Sequence, residues 1–110
     1  MIEKIVLEYL NRTLSVPAYM QEPQNGPKRY VVFEKTGSSR KNCINKATFV
    51  IQSYAESQYE AACLNEDVKE VMDNMIYEED IAKSELNSDY PYPDTTRKEF
   101  RYQAVYDLVY

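Results

Sequence analysis

The sequence has no histidine, so it lacks the side chain that most often serves as a general base near neutral pH and as a nitrogen ligand for zinc, copper or iron. It has only two glycines, Gly26 and Gly37, and no P-loop, GxGxxG or nucleophile-elbow motif, which excludes a glycine-rich phosphate-binding loop. Cys43 and Cys63 form no CxxC pair, so a structural zinc site is not expected either. We expect a protein without enzymatic activity, cofactor or metal.

Long apolar runs are also missing, and none approaches the roughly 20 residues that a membrane span requires. The first ten residues include two glutamates where a signal peptide would have basic and then apolar residues. We therefore expect a protein of the cytosol, or one assembled there, with Cys43 and Cys63 as reduced thiols. A disulfide between them is the alternative, for which the sequence gives no support.

The chain is long enough for one domain, and 44% hydrophobic residues are typical of a globular protein with its own core. Helical spacing predicts an amphipathic helix that ends near Thr13, and a second helix that starts at a capping box of Ser57 and Glu60. Its apolar stripe comprises Ala61, Leu64, Val68, Val71, Met72 and Met75. Strand-like runs cover residues 30–34 and 47–54, and strict alternation predicts a long antiparallel strand over residues 100–110.

Charge is distributed unevenly along the chain. Residues 35–55 contain four basic side chains and no acidic one, although the net charge of the whole chain is -5. Residues 36–42 are predicted to form a polar loop between two strands, and residues 56–94 are strongly acidic. A positive arm and a negative body suit head-to-tail association of identical subunits, which closes into a ring when the rotation permits. Such patches are otherwise merely solvated, because exposed ion pairs contribute only about 0 to 1 kcal/mol each.

Two further features have a plain and a functional interpretation. The adjacent carboxylates of residues 78–80 lack the ligand spacing and turn glycine of a calcium-binding loop, which favours a solvated turn. On the second helix, Tyr59 and Cys63 fall opposite the apolar stripe, beside Glu66 and Glu70. These two side chains are either tolerated at the surface or covered by another subunit, and the sequence leaves both open.

Several short motifs resemble the tail terminator proteins of long-tailed bacteriophages. The matching residues are Phe33, Glu34, Lys35, Thr36 and Gly37, then Ser39 and Arg40, then Ala61 and Ala62, and finally Tyr92, Pro93 and Asp94. The chain departs from the family pattern at Ser38, where a second glycine is usual, and in the acidic segment of residues 77–89.

The resemblance implies an α+β fold in which two helices pack on one side of a mostly antiparallel sheet. The implied order is α-β-β-β-α-β-β, with a protruding β-hairpin loop. It further implies a virion protein that assembles in the host cytoplasm as a homo-oligomeric ring, with six copies expected, at the head-proximal end of the tail. Its implied partners are the tail tube protein and the head–tail connector protein.

We predict two interface sets from the charge pattern and the resemblance together. Lys35, Arg40, Lys41 and Lys46 form the arm that contacts a neighbour or the tube, and Tyr59, Cys63, Glu66 and Glu70 form a facing surface. Direct nucleic-acid recognition is not expected because the pI is near 4.8. Two alternatives stay open: a head-completion or connector-adaptor protein of the same assembly, and a small acidic regulatory or inhibitor protein.

Overall fold

The computed structural model describes residues 1–110. In chain order the elements are helix α1 (Ile2–Thr13), strands β1 (Ala18–Tyr19), β2 (Tyr30–Lys41) and β3 (Ile44–Ala55), helix α2 (Gln58–Asp73), a 3-10 helix (Asn74–Tyr77), and strands β4 (Lys83–Pro91) and β5 (Phe100–Val109). This α+β architecture and its element order confirm the predicted fold class. Neither helix has the length and apolar character needed to cross a bilayer.

The strands form one five-stranded sheet in the order β1-β2-β3-β5-β4. All neighbouring pairs are antiparallel except β1, which lies parallel to the start of β2 through Ala18 and Tyr19. Strand β5, the last in sequence, lies between β3 and β4. The β2–β3 hairpin and β4 therefore lie on either side of β5, toward opposite edges of the sheet.

Both helices pack on the same face of the sheet. The alternate residues of the strands that point to this face share one hydrophobic cluster with the apolar stripes of the helices. The largest fully buried members are Tyr106, Phe33, Phe49, Leu10, Ile51, Leu64, Met72, Met75 and Leu108. The opposite side of the sheet, called the open face below, carries no helix.

Helix α2 is held at both ends. At its start the Ser57 hydroxyl accepts a hydrogen bond from the Glu60 amide at 3.1 Å, so the serine half of the predicted capping box is confirmed. At its end, three hydroxyls from three other elements donate to backbone carbonyls of its last turns. These bonds are Tyr9 to Val71 (2.5 Å), Ser84 to Met72 (2.6 Å) and Tyr106 to Lys69 (3.1 Å). The helix is thus fixed to α1, β4 and β5.

The predicted loop over residues 36–42 is wrong. Strand β2 continues to Lys41, β3 begins at Ile44, and only Asn42 and Cys43 form the turn between them. Both turn residues have positive φ, 53° and 64°, the pattern of the type I′ turn that matches the twist of a hairpin. Small polar residues extend the strand here because β3 supplies backbone partners, with one bulge between Lys35 and Gly37.

Candidate functional site

The distal half of the hairpin, residues 36–46, is called the arm. Every residue from 36 to 44 is exposed, and side chains pack into the core again only at Ala47. Six residues of β2 beyond Lys35 extend about 20 Å at the usual rise of a strand. The molecule measures 44 × 24 × 23 Å, so it is elongated. The arm gives the protein a surface that serves no packing function within the protomer.

Three of the four predicted basic residues lie on this arm and have no acidic partner. Arg40 lies opposite Asn45, and Lys46 lies opposite Ser39. Neither these two residues nor Lys41 takes part in any ion pair of the structure. Lys35 differs, because it lies at the base of the arm and its ammonium group is 3.3 Å from the Glu3 carboxylate on α1. The cations available to another molecule are therefore Arg40, Lys41 and Lys46.

The second predicted set lies together on the outer surface of α2. Tyr59 is 72% exposed, and Cys63, Glu66 and Glu70 are also exposed. Their spacing of four, three and four residues places them on one stripe of the helix. The Glu66 carboxylate is 3.0 Å from the ammonium group of Lys69, whose pKa is raised by hydrogen bonds to Glu66 and Asp89. This stripe combines an exposed aromatic ring with carboxylates.

The structure keeps these two sets apart. Helix α2 starts shortly after Ala55, at the end of β3 that is far from the turn at Asn42 and Cys43. No ion pair joins the arm to the stripe on α2. Contact between the two sets therefore requires a second molecule.

The open face carries a polar network that sequence reasoning missed. The Gln52 amide donates to Gln103 at 2.9 Å, Gln103 donates to the Tyr90 hydroxyl at 2.6 Å, and the Tyr54 hydroxyl donates to Gln52 at 3.1 Å. Arg101 donates to the Tyr54 hydroxyl at 3.2 Å. The Tyr54 ring stacks on Tyr30 with 4.7 Å between ring centres. These side chains come from four strands, and only the register of the sheet brings them together.

Two carboxylates meet at one end of this network. Burial, followed by the adjacent Glu22 carboxylate, raises the pKa of Glu99. Burial also raises the pKa of Tyr30 to about 12, with Glu22 as a further cause. Arg97 lies 3.6 Å from Glu22 and 3.8 Å from Glu99, and it offsets part of their repulsion. The cluster ties the segment before β2 to the start of β5.

The motif of Tyr92, Pro93 and Asp94 forms a turn. The Asp94 carboxylate accepts hydrogen bonds from the backbone amides of Thr96 and Arg97 at 3.0 and 3.2 Å. The Asp94 and Glu99 backbones also exchange two hydrogen bonds, at 3.0 and 2.9 Å. An aspartate that accepts amides two and three residues ahead is a usual turn former. This turn directs the chain from β4 into β5.

The acidic residues before β4 lie in the turn that was predicted there. Glu78 forms an ion pair with Arg12, whereas Glu79 and Asp80 are exposed and belong to no ion pair. No group of three or more cysteine or acidic side chains is arranged to hold a metal ion. An open cleft of about 470 Å³ lies on the open face of the sheet, across all four long strands. Its polar lining includes Lys46, Lys83, Glu85 and Asp107.

The structure thus exposes a basic arm, an acidic stripe on α2 with the exposed Tyr59 ring, and a polar network on the open face. Comparison of the sequence with known protein families gave no match, and comparison with curated proteins gave none either.

Proposed function

We propose that the protein is a structural subunit that closes the end of a bacteriophage tail tube. In this function, copies of the chain form a ring on the finished tube, stop its growth and present the tail side of the head–tail joint to the connector. The arm is the observation that carries the proposal. It holds three cations without an acidic partner in the protomer, two of which, Arg40 and Lys41, lie next to the turn at the end of the β2–β3 hairpin.

Three features support an assembly function. The short motifs that resemble tail terminators fall on structured elements: the strand β2, the exposed arm, the first turns of α2 and the turn before β5. The arm is basic, whereas the outer stripe of α2 and the exposed Glu79 and Asp80 are acidic, so identical copies have complementary surfaces. The arm and the stripe on α2 are separated within the chain, which favours contacts between copies over contacts within one copy.

Charge reversal on the arm tests the proposal. Purified protein is added to cognate tail tubes, and capped ends are counted by negative-stain microscopy over a protein titration and a salt series. The double variant Arg40→Glu and Lys41→Glu should require about tenfold more protein for half-maximal capping at low salt, because two attractive contacts become repulsive. The matched control, Lys4→Glu with Arg29→Glu, makes the same change in net charge at two exposed cations outside the arm and should cap like the wild type.

Wild-type protein that leaves tube ends bare, or that stays monomeric with and without tubes, would contradict this function. A reversed arm with unchanged assembly and unchanged salt dependence would contradict the assignment of the arm. A head-completion or connector-adaptor protein would bind the head connector and leave isolated tubes uncapped.

The acidic surface of α2 supports a second candidate, a small inhibitor that occupies a basic site on a host enzyme. Glu66, Asp67, Glu70 and Asp73 surround a shallow concavity on this helix, with Lys69 as its one basic residue. Such a protein would act as a monomer and bind a basic host enzyme through α2. Reversal of Glu66 and Glu70 would then abolish binding, while reversal of the arm would have no effect.

A further inference from the structure

The sheet has two free edges. Strand β4 pairs only with β5, and β2 pairs on its outer side only with the two residues of β1, at Val31 and Val32. From Phe33 to Lys41 the outer side of β2 has no strand partner. A free edge offers a row of unpaired backbone amides and carbonyls, to which another strand binds readily.

These two edges lie at the same level of the sheet. One row of paired residues runs from Ser39 on β2 through Lys46 and Val109 to Lys83 on β4. Another runs from Lys35 through Phe49 and Tyr106 to Leu86. The stretch of β2 from Lys35 to Ser39 and the stretch of β4 from Lys83 to Leu86 therefore span the same height.

The directions of the strands also match. The three successive antiparallel pairs make β2 run opposite to β4. If the β4 edge of one copy meets the β2 edge of the next, the new pair is antiparallel and the alternation of the sheet continues. Bulges next to Thr36 and Asn87 limit regular pairing to the distal part, residues 37–41 of β2 on one edge and residues 83–86 of β4 on the other.

The charges at this level are complementary. Arg40 lies opposite Asn45, whose carbonyl accepts from the Tyr110 amide, and the Ala82 amide donates to Val109 on the same side of the sheet. Arg40 thus lies level with Ala82, just before β4, and Glu79 and Asp80, which are exposed and without ion-pair partners, lie two to three residues further from β4, close enough for a long basic side chain to approach. Pairing of two arms with each other would instead place Arg40 and Lys41 against their own copies, which is unfavourable.

We propose that the β4 edge of one copy pairs with the arm edge of the next copy, so that the sheets of neighbouring subunits join head to tail. Arg40 and Lys41 of one subunit then meet Glu79 and Asp80 of its neighbour. This joint rests on the proposed function for the closure of the ring, but the contact itself requires only two copies of the chain.

A charge-swap experiment tests the joint with the full chain alone. Self-association is followed by sedimentation at low salt for the wild type, for Arg40→Glu with Lys41→Glu, and for Glu79→Lys with Asp80→Lys. Each double variant should associate about tenfold or more weakly than the wild type. An equimolar mixture of the two variants should regain wild-type association, because normal and reversed joints then alternate. Circular dichroism checks that each variant is folded.

Cysteine cross-linking tests the pairing itself. In a background with Cys43→Ser and Cys63→Ser, the variants Ser39→Cys and Lys83→Cys place thiols in one row of the sheet. A disulfide should form in the mixture of the two single variants and in neither variant alone.

Several results would overturn the joint: a wild type that is monomeric at every concentration, a mixture that fails to regain association, or a cross-link within one single variant. The proposed function has a separate readout. Association rescued by the charge swap together with uncapped tubes would refute the function and leave the joint. Capped tubes without restored association in the mixture would refute the joint and leave the proposed function.

Discussion

Removal of the Tyr106 hydroxyl should weaken the fold at neutral pH and flatten its alkaline unfolding profile. Tyr106 is fully buried on β5, and its hydroxyl lies 2.8 Å from the Asp73 carboxylate and 3.1 Å from the Lys69 carbonyl oxygen. Hydrogen bonds to charged groups contribute about 1.5–3 kcal/mol. Because Asp73 is exposed and water replaces part of the lost bond, we expect Tyr106→Phe to cost about 1.5 kcal/mol. For a domain of this size the melting temperature should fall by about 6–7 °C.

The pH dependence follows from the same geometry. Burial, together with the bond to Asp73, raises the pKa of Tyr106 above its ordinary value of 10.0. The unfolded state therefore loses the phenolic proton first, and stability falls as the pH rises above about 10, by up to about 1.4 kcal/mol per pH unit for each such group. Tyr106→Phe removes this contribution, so its deficit relative to the wild type should shrink above pH 10.

Urea unfolding followed by circular dichroism, from neutral pH to about pH 11.5, measures both effects. Tyr59→Phe is the matched control, because Tyr59 is exposed and should change stability by less than about 0.5 kcal/mol. An unchanged stability of Tyr106→Phe at neutral pH would refute the hydrogen-bond argument. A deficit that stays constant above pH 10 would refute the titration argument.

Two further predictions concern the turn of the arm and the carboxylate pair. Cys43→Gly should stabilise the protein by about 0.5–1 kcal/mol in thermal unfolding. A left-handed backbone costs residues other than glycine about 1–2 kcal/mol, and the greater freedom of glycine in the unfolded chain offsets part of that difference. A loss of stability would contradict the turn geometry. Glu99→Gln should reduce the pH dependence of stability between about pH 4.5 and 7. Because the pKa of Glu99 is raised, the stability that its protonated form contributes is present below the ordinary value of 4.5 and is lost as the pH rises through the folded pKa. The stability of Glu99→Gln relative to the wild type should therefore be greater at neutral pH than at pH 4. An equal stability difference at both pH values would count against the burial of the Glu99 charge.

The helices and the core were predictable because their signals are local. The helical stripe from Ala61 to Met75 and the cap at Ser57 are readable within a few turns of chain. Val71 lies at the border of that stripe and is only half-buried. The period-two alternation over residues 100–110 correctly predicted β5 (Phe100–Val109), in which Ala104, Tyr106 and Leu108 are buried. Each of these predictions depends on neighbours in sequence, which the chain specifies directly.

The arm and the open-face network were not predictable in the same way. Residues 37–39 are a glycine and two serines, which have weak strand propensity, and the turn at Asn42 and Cys43 lacks the glycine that usually marks a two-residue hairpin. Their conformation depends on the partner strand. The contact between Gln52 and Gln103 likewise joins residues 51 positions apart, and only the register of β3 and β5 produces it.

Contacts within one protomer do not explain why the arm is as long as it is. Ordering a residue costs about 1–2 kcal/mol of backbone entropy, and residues 40–45, beyond the last β3–β5 pair at Lys46, form a two-stranded ribbon, which is marginally stable in water. The exposed residues 36–44 offset little of that cost through burial, and Arg40, Lys41 and the nearby Lys46 form no ion pair within the chain. A surface outside the protomer would supply both kinds of contact. The β4 edge and the acidic segment before it are the only stretch of the opposite sheet edge that lies at the height of the arm. We therefore place the next subunit there and not on the outer stripe of α2.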